Sequence, residues 1–441
     1  MVVALKSRLH NENGTVRGGS MGRALSVILV ENGEAEAETL SQALSEYAIE
    51  IHRCNRDGFE QMVQAQPVDA VLSFTALDVS GYDFPCISLG MREPSAAAFL
   101  DRSAHPIQVA ARLRGLVRLN LLETVARARR RDAEAAGVQL ASAQTAADNA
   151  SVLFVGSPCP AFMRLQHALA GSQTEVVAAF STFSAFDYLH ERAFDAVVLN
   201  TQPDPDLAHT VCSAMRRNTR LYHTPAILLT QPDQPVDAEE AFARGASDVL
   251  SEDASEDQIR ERIGVLGMER RRRRRAKAGL ESSRTPLLLD RASDLYVPDF
   301  GVRHMETLLS HWRQTGRDLS FIGIRADAPR EASLERVHYA LDQFASMLRH
   351  CVRAEDFAVR QTPEQFYIAL PNTHLSDAKS VADRICAIAE CTAYDGLATG
   401  QPFRLDLAAH VCGPLPELSS EQMITHIMTA TAQQGRFAAY A

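Results

Sequence analysis

The stretch that decides the C-terminal fold is RAEDFAVRQTPEQFYIALP, residues 353–371. Two apolar runs, FAVRQ (357–361) and QFYIALP (365–371), flank Thr362-Pro363-Glu364. Proline fixes φ and donates no hydrogen bond, so the trio reads as the tight turn of a β-hairpin. Before it come a helix over 331–352, a strand SFIGIRA (320–326) and a helix over 302–313. After it come a helix over 376–391, a strand RLDLAAHV (404–411) and a last helix. This order predicts an α+β unit over 286–441, one sheet covered by helices.

Upstream the pattern changes. SVILVENG (26–33) reads as a buried strand, followed by a helix over 34–46, a strand (50–53), a helix (58–64) and the strand DAVLSF (69–74). SVLFVGS (151–157) opens a second copy, with strands FDAVVLN (194–200), AILLT (226–230) and DVL (248–250) between helices. Such alternation predicts two doubly wound parallel sheets, weak repeats of one another, over 24–120 and 150–266. The first is short. Only ten residues separate Phe74 from Pro85, and about eight separate the next two apolar stretches. A parallel crossover with its helix takes about a dozen or more. The first unit is therefore expected to lack its third and fourth helices.

Residues 121–149 are rich in Ala, Arg and Glu and predict a connecting helix, over 123–148. A second connector, 267–285, carries six successive arginines, 270–275. It reads as a solvated helix between domains, the alternative being a patch for an acidic partner or a nucleotide phosphate. Residues 1–23 are polar and Gly-rich, a predicted disordered tail, with Met21 as a second possible start.

A net charge of −10 argues against nucleic acid as a partner. No apolar run nears the roughly 18 residues that span a bilayer, and the apolar stretch at the start is too short for a signal peptide. The eight cysteines include no C-x-x-C pair, which suggests free thiols in a reducing compartment, not disulfides or a zinc site. A cytoplasmic protein without membrane insertion is expected.

In layout and local motifs the chain resembles the PleD-type response regulators, with two flavodoxin-like receiver domains followed by a GGDEF (diguanylate cyclase) domain. Among them it is most similar to the degenerate, PopA-like paralogues. The resemblance implies α/β and α+β folds with the first receiver truncated, and it names the positions where chemistry would sit. Phosphotransfer needs an acidic pair, a nucleophilic aspartate, a Thr/Ser and a Lys. In the first receiver these positions hold Glu31-Asn32, Phe74, Gly90 and Arg102. Asp78 and Asp83 lie nearby and read as ordinary loop aspartates. In the second they hold Gly156-Ser157, Asn200, Thr230 and Glu252, so only Thr230 survives. A phenyl ring cannot form an acyl phosphate and an amide cannot carry one at pH 7, so neither receiver is expected to be phosphorylated.

In the third domain the resemblance implies a metal-holding carboxylate pair on the first strand, where this chain is read as having Gly323 and Arg325. The phosphate- and guanine-holding stretch is replaced by APREA, residues 328–332, and the GG(D/E)EF turn by Thr362-Pro363-Glu364-Gln365-Phe366. No catalytic residue, metal or cofactor is expected. One feature stands in register: the R-x-x-D of the family's product-binding site, Arg353 to Asp356, five residues before the turn, with Arg384 on the next helix. Arginine can read the O6/N7 edge of guanine and stack on it, and aspartate can accept from N1–H and N2–H. The expected ligand is cyclic di-GMP, bound by Arg353, Asp356 and Arg384, with Arg313 a weaker candidate. The alternative is a surface salt bridge. Two other R-x-x-D sequences, Arg129 with Asp132 and Arg291 with Asp294, read as decoys.

The implied function is a non-catalytic cyclic di-GMP effector. By resemblance it would be a cell-cycle adaptor, a homodimer that docks signalling or proteolysis-adaptor proteins and concentrates at a cell pole. The alternative is a ligand-independent scaffold.

Overall fold

The computed structural model describes residues 24–140, 150–202, 204–232, 237–329, 332–394 and 402–434. The expected tail, 1–23, and the end of the first connector, 141–149, lie outside them.

The first unit runs β1 (Leu25–Val30), α1 (Ala35–Ser45), β2 (Ile49–Cys54), α2 (Phe59–Ala65), β3 (Ala70–Ser73), β4 (Cys86–Leu89), β5 (Ala98–Leu100) and α3 (Pro106–Ala135). Its sheet is parallel, in the order β2-β1-β3-β4-β5. Residues 74–85 and 90–97 hold no helix, as their lengths require. Coil takes the helices' place: Leu77, Val79, Tyr82, Phe84 and Ala96 close on Phe59, with Tyr82 and Phe84 stacked at 5.0 Å.

The second unit is complete: β6 (Ala150–Val155), α4 (Pro160–Ala170), β7 (Thr174–Ala179), α5 (Thr182–Glu191), β8 (Ala196–Asn200), α6 (Pro205–Arg217), β9 (Ala226–Thr230), α7 (Ala238–Ala243), β10 (Asp248–Ser251) and α8 (Glu256–Ser282). Its parallel sheet has the order β10-β9-β8-β6-β7. Central strands are buried on both faces, which is why they read as unbroken apolar runs.

The third unit has α9 (Pro298–Thr315), β11 (Leu319–Asp327), α10 (Leu334–Cys351), β12 (Phe357–Arg360), β13 (Gln365–Pro371), α11 (Leu375–Glu390), β14 (Asp406–Cys412) and α12 (Ser420–Gln433). Its sheet is antiparallel, in the order β12-β13-β11-β14. Ile322 and Ile324 face α10 and α11, while Phe321 and Tyr367 face α9 and α12.

The connectors are not separate pieces. α3 and α8 are the last helices of the two parallel-sheet units, continued without a break, so the expected boundaries at 120 and 266 fall inside helices. They lie side by side in parallel, tied by Arg112 to Glu269 (2.6 and 2.9 Å) and by Arg272 to Glu123 (2.6 and 2.8 Å). The arginine run is neither solvated nor a free phosphate patch. Arg271 and Arg274 converge on the buried Asp195 at 3.5 and 3.0 Å, Arg273 donates to the Gly115 carbonyl, and only Arg275 is exposed. A helix lying between two neighbours turns successive side chains toward both, so a charge run there finds partners. α3 stops at Ala135, short of the expected 148. The chain turns at Gly137 (φ 84°), and Ala133 and Val138 join the third unit's core.

Candidate functional site

The receiver positions do converge. In the first unit Phe74 is buried, with the Arg102 guanidinium 5.6 Å from its ring centroid. Gly90, at φ 75°, lies against the Arg102 stem, where a Cβ would come within 2.2 Å of Cγ. Glu31 pairs with Arg53 at 2.7 Å. A cation over a ring thus fills the place of a phosphoryl pocket. Asp78 accepts from the Ser80 amide at 2.9 Å, and the Asp83 carbonyl accepts from Asn120 and Arg317, both at 2.9 Å. In the second unit Asn200 donates to Cys159 Sγ at 3.3 Å and accepts from the Gln202 amide. A Cβ at Gly156 would lie 2.6 Å from that of Asn200. Thr230 is buried, and the Glu252 amide donates to its carbonyl.

At the hairpin turn, the Thr362 hydroxyl accepts from the Gln365 amide at 3.1 Å and the Pro363 carbonyl accepts from Arg360. The side chain closes a turn that glycines would leave open. The strand beside it corrects one sequence reading. Arg325 pairs with Gln365, and the Ala326 amide donates to the Glu364 carbonyl, so the end of β11 meets the turn. Gly323 does not lie there. It is paired with Tyr367 and His410 in mid-sheet, and its missing side chain would point into α12. The residues beside the turn are Arg325 and Asp327, joined at 2.8 Å, with Arg325 also donating to the Ala432 carbonyl. A carboxylate that sequence reasoning passed over is present, already paired to a guanidinium that offers a metal no lone pair.

The R-x-x-D loop, by contrast, lies on a cleft of about 340 Å³ between α8 and the third unit. Arg353 is exposed and Asp356 buried, and both line it. Asp356 Oδ2 accepts from the Arg353 amide at 2.7 Å, whereas its buried Oδ1 has no partner. Lys277, Arg284 and Arg349 add positive charge, against Glu281. Burial holds the Lys277 ammonium and the Arg284 guanidinium below their usual ranges, with Arg273 and Arg270 adding repulsion at Lys277. An anion placed here would relieve both. Arg384 is not in the cleft wall. It holds the end of α10, just before that loop, by donating to the Cys351 carbonyl at 3.2 Å. Arg313 is elsewhere, donating to the Leu418 carbonyl.

The R-x-x-D of Arg129 and Asp132, which reads as a decoy in the sequence, builds this site. Arg129, almost fully buried on α3, donates to the carbonyls of Ala354 (3.3 Å), Glu355 (2.9 Å) and Asp356 (3.2 Å). Its guanidinium lies 5.6 Å from the ring of Tyr296 and 5.3 Å from that of Phe357. Three residues on, Asp132 meets His304 Nδ1 at 2.6 Å and accepts from Thr307 at 2.9 Å. The first connector therefore holds the R-x-x-D loop from beneath.

Burial pushes the Asp356 carboxyl up to about 6, against the opposing Arg353 amide. A carboxyl whose folded pKa is raised binds protons more tightly in the folded chain. Its contribution to stability is present below the unfolded value and is lost as pH rises through about 6. Asp356→Asn should therefore stabilise the protein at pH 7.5 by about 1–2 kcal/mol, with the gain vanishing near pH 4. Urea unfolding at the two pH values measures this. An asparagine variant less stable than wild type at pH 7.5 would mark the carboxylate as a structural acceptor.

Comparison with known proteins agrees on the domain type. The family profile described as "Diguanylate cyclase, GGDEF domain" matches residues 337–436. The response regulator PleD of Caulobacter vibrioides is 23% identical over 195 residues, 43% of this chain, and the match spans only 43% of that relative's length. Among solved structures, a putative response regulator from Chloroflexus aurantiacus is 21% identical, covering 27% of this chain and 98% of that one (TM-score 0.26). The coiled coil and GGDEF domain of DgcB from Caulobacter crescentus, in complex with c-di-GMP, is 12% identical, covering 36% and 86% (TM-score 0.31). Among the described residues no helix is long and apolar enough to cross a membrane.

Proposed function

We propose that this chain is a non-catalytic reader of cyclic di-GMP, a pseudoenzyme whose GGDEF domain keeps the ligand loop without the cyclase machinery. The observation that carries the reading is the partnerless carboxylate oxygen of Asp356, buried on a cleft where Arg353, Lys277, Arg284 and Arg349 outnumber the single glutamate, Glu281, that pairs with Arg349 and Arg284. A guanine edge offers Asp356 the N–H donors it lacks, and phosphates suit the cations. Arg384, on the loop's other flank, is assigned to the second guanine or a phosphate. Arg325 at the turn, bound to Asp327, argues against a two-metal cyclase centre.

The cleft's far wall is α8, so a ligand there touches the helix that leads back to the second receiver. That gives binding a route to output: the ligand favours one packing of α8 and thereby one set of docking surfaces. On the resemblance to PopA-like proteins, the output is cell-cycle control through docking of signalling or proteolysis-adaptor partners by a homodimer at a cell pole.

Calorimetry with cyclic di-GMP tests the reading. Wild type should bind at micromolar or tighter concentration and Arg353→Gly should not. Incubation with GTP and Mg²⁺ should yield no dinucleotide. Absence of binding by wild type would leave the ligand-independent scaffold, and any dinucleotide formed would make the chain an enzyme.

A further inference from the structure

We propose that His410, Cys412 and His426 form a site for one divalent transition-metal ion of the zinc class, joining β14 to α12. His410 and Cys412 are two apart on a strand and so face the same side. β14 is an edge strand, and in register they sit opposite Gly323 and Phe321 of β11, on the face that α12 covers. α12 supplies His426 to that face. One donor atom from each residue lies within 4.8 Å of the other two. A tetrahedral zinc with Zn–N near 2.0 Å and Zn–S near 2.3 Å spaces its donors by roughly 3.3–3.8 Å, so side-chain rotation alone can close the set.

The chemistry of the donors names the metal class. Two imidazoles and a thiolate favour zinc, cobalt or copper over magnesium, so this is no remnant of the magnesium chemistry of a cyclase. Three protein donors leave a fourth position for water. An outer partner is also in place. The Gln434 side-chain amide is 3.4 Å from His410 Nδ1, and with its oxygen turned inward it would keep the proton there and free Nε2 for the metal. Gly323 contributes by having no side chain. A Cβ would fall 2.1 Å from Thr431 Oγ1, so only glycine lets α12 settle this close to the strand that carries the pair's neighbours.

The test uses the full chain, stripped of metal and titrated with Co²⁺. The expected result is one equivalent bound, with a thiolate-to-cobalt charge-transfer band and the strong visible bands of tetrahedral cobalt, displaced by Zn²⁺. Cys412→Ser should lose the charge-transfer band. His426→Ala, outside the buried core, should weaken binding by at least about tenfold, the lower bound seen for mere outer-shell partners. Cys391→Ser removes an exposed thiol and should change nothing. Metal-free melting curves establish that each variant is folded. No thiolate band in wild type, a band unchanged in Cys412→Ser, or a band lost in Cys391→Ser would overturn the assignment. None of these outcomes bears on cyclic di-GMP, whose cleft is lined by other residues.

Discussion

Arg129→Ala is expected to lower the unfolding free energy by about 3 kcal/mol or more and to abolish high-affinity cyclic di-GMP binding with it. The substitution leaves the carbonyls of Ala354, Glu355 and Asp356 without their charged donor and opens a void against Tyr296 and Phe357. A charged hydrogen bond contributes about 1.5–3 kcal/mol, and a buried acceptor left unpaired costs more than the bond was worth. Lysine should recover little, because a point charge cannot fork to several carbonyls or stack flat on two rings. Urea unfolding measures the first effect and calorimetry the second. If Arg129→Ala unfolds like wild type, α3 does not dock on the loop. If it destabilises without touching affinity, the loop's shape does not depend on that docking.

Gly323→Asp is the second large effect, about 3 kcal/mol or more of destabilisation, with no gain of cyclase activity. Its Cβ alone would meet Thr431 Oγ1 at 2.1 Å and Ile427 Cγ2 at 2.8 Å. Overpacking of that kind costs about 1–3 kcal/mol, and a carboxylate buried under α12 adds desolvation. Gly323→Ala should show the steric part by itself. Thr431→Ala should rescue that variant only in part, since Ile427 remains, and a double-mutant cycle reads the coupling. Arg325→Asp is the instructive contrast, because that side chain is half-exposed and lies beside the turn. A Gly323→Asp protein as stable as wild type would mean that α12 is not seated on β11.

Much of the fold was legible because it follows from chain length and period. The missing crossover helices of the first unit could be counted, since ten residues cannot hold a helix and return. The hairpin at 362–364 announced itself through proline and the runs beside it. What failed was long-range. Alternation tells that residues 323 and 325 share a face. Only the pairing of Arg325 with Gln365 tells which of them meets the turn. Arg353 and Asp356 stand out in the sequence because their spacing to the hairpin is local. Arg129 carries the same pattern, but docking across some 225 residues leaves no mark in a short motif. The arginine run shows only its charge in the sequence, yet Asp195 and Glu123 decide its role. His410, Cys412 and His426 come together through a strand edge and a helix, which no spacing rule anticipates.

α3 and α8 have a consequence for anyone who would take the chain apart. At about 1.5 Å per residue they are rods of roughly 45 and 40 Å, cross-linked along their length and anchored at both ends. A fragment beginning at 286 would leave Arg129 behind, and with it the wedge between two aromatic rings. Modular in its sequence, the protein is a single machine part in its mechanics: the rods tie both parallel sheets to the cleft beside Arg353 and Asp356.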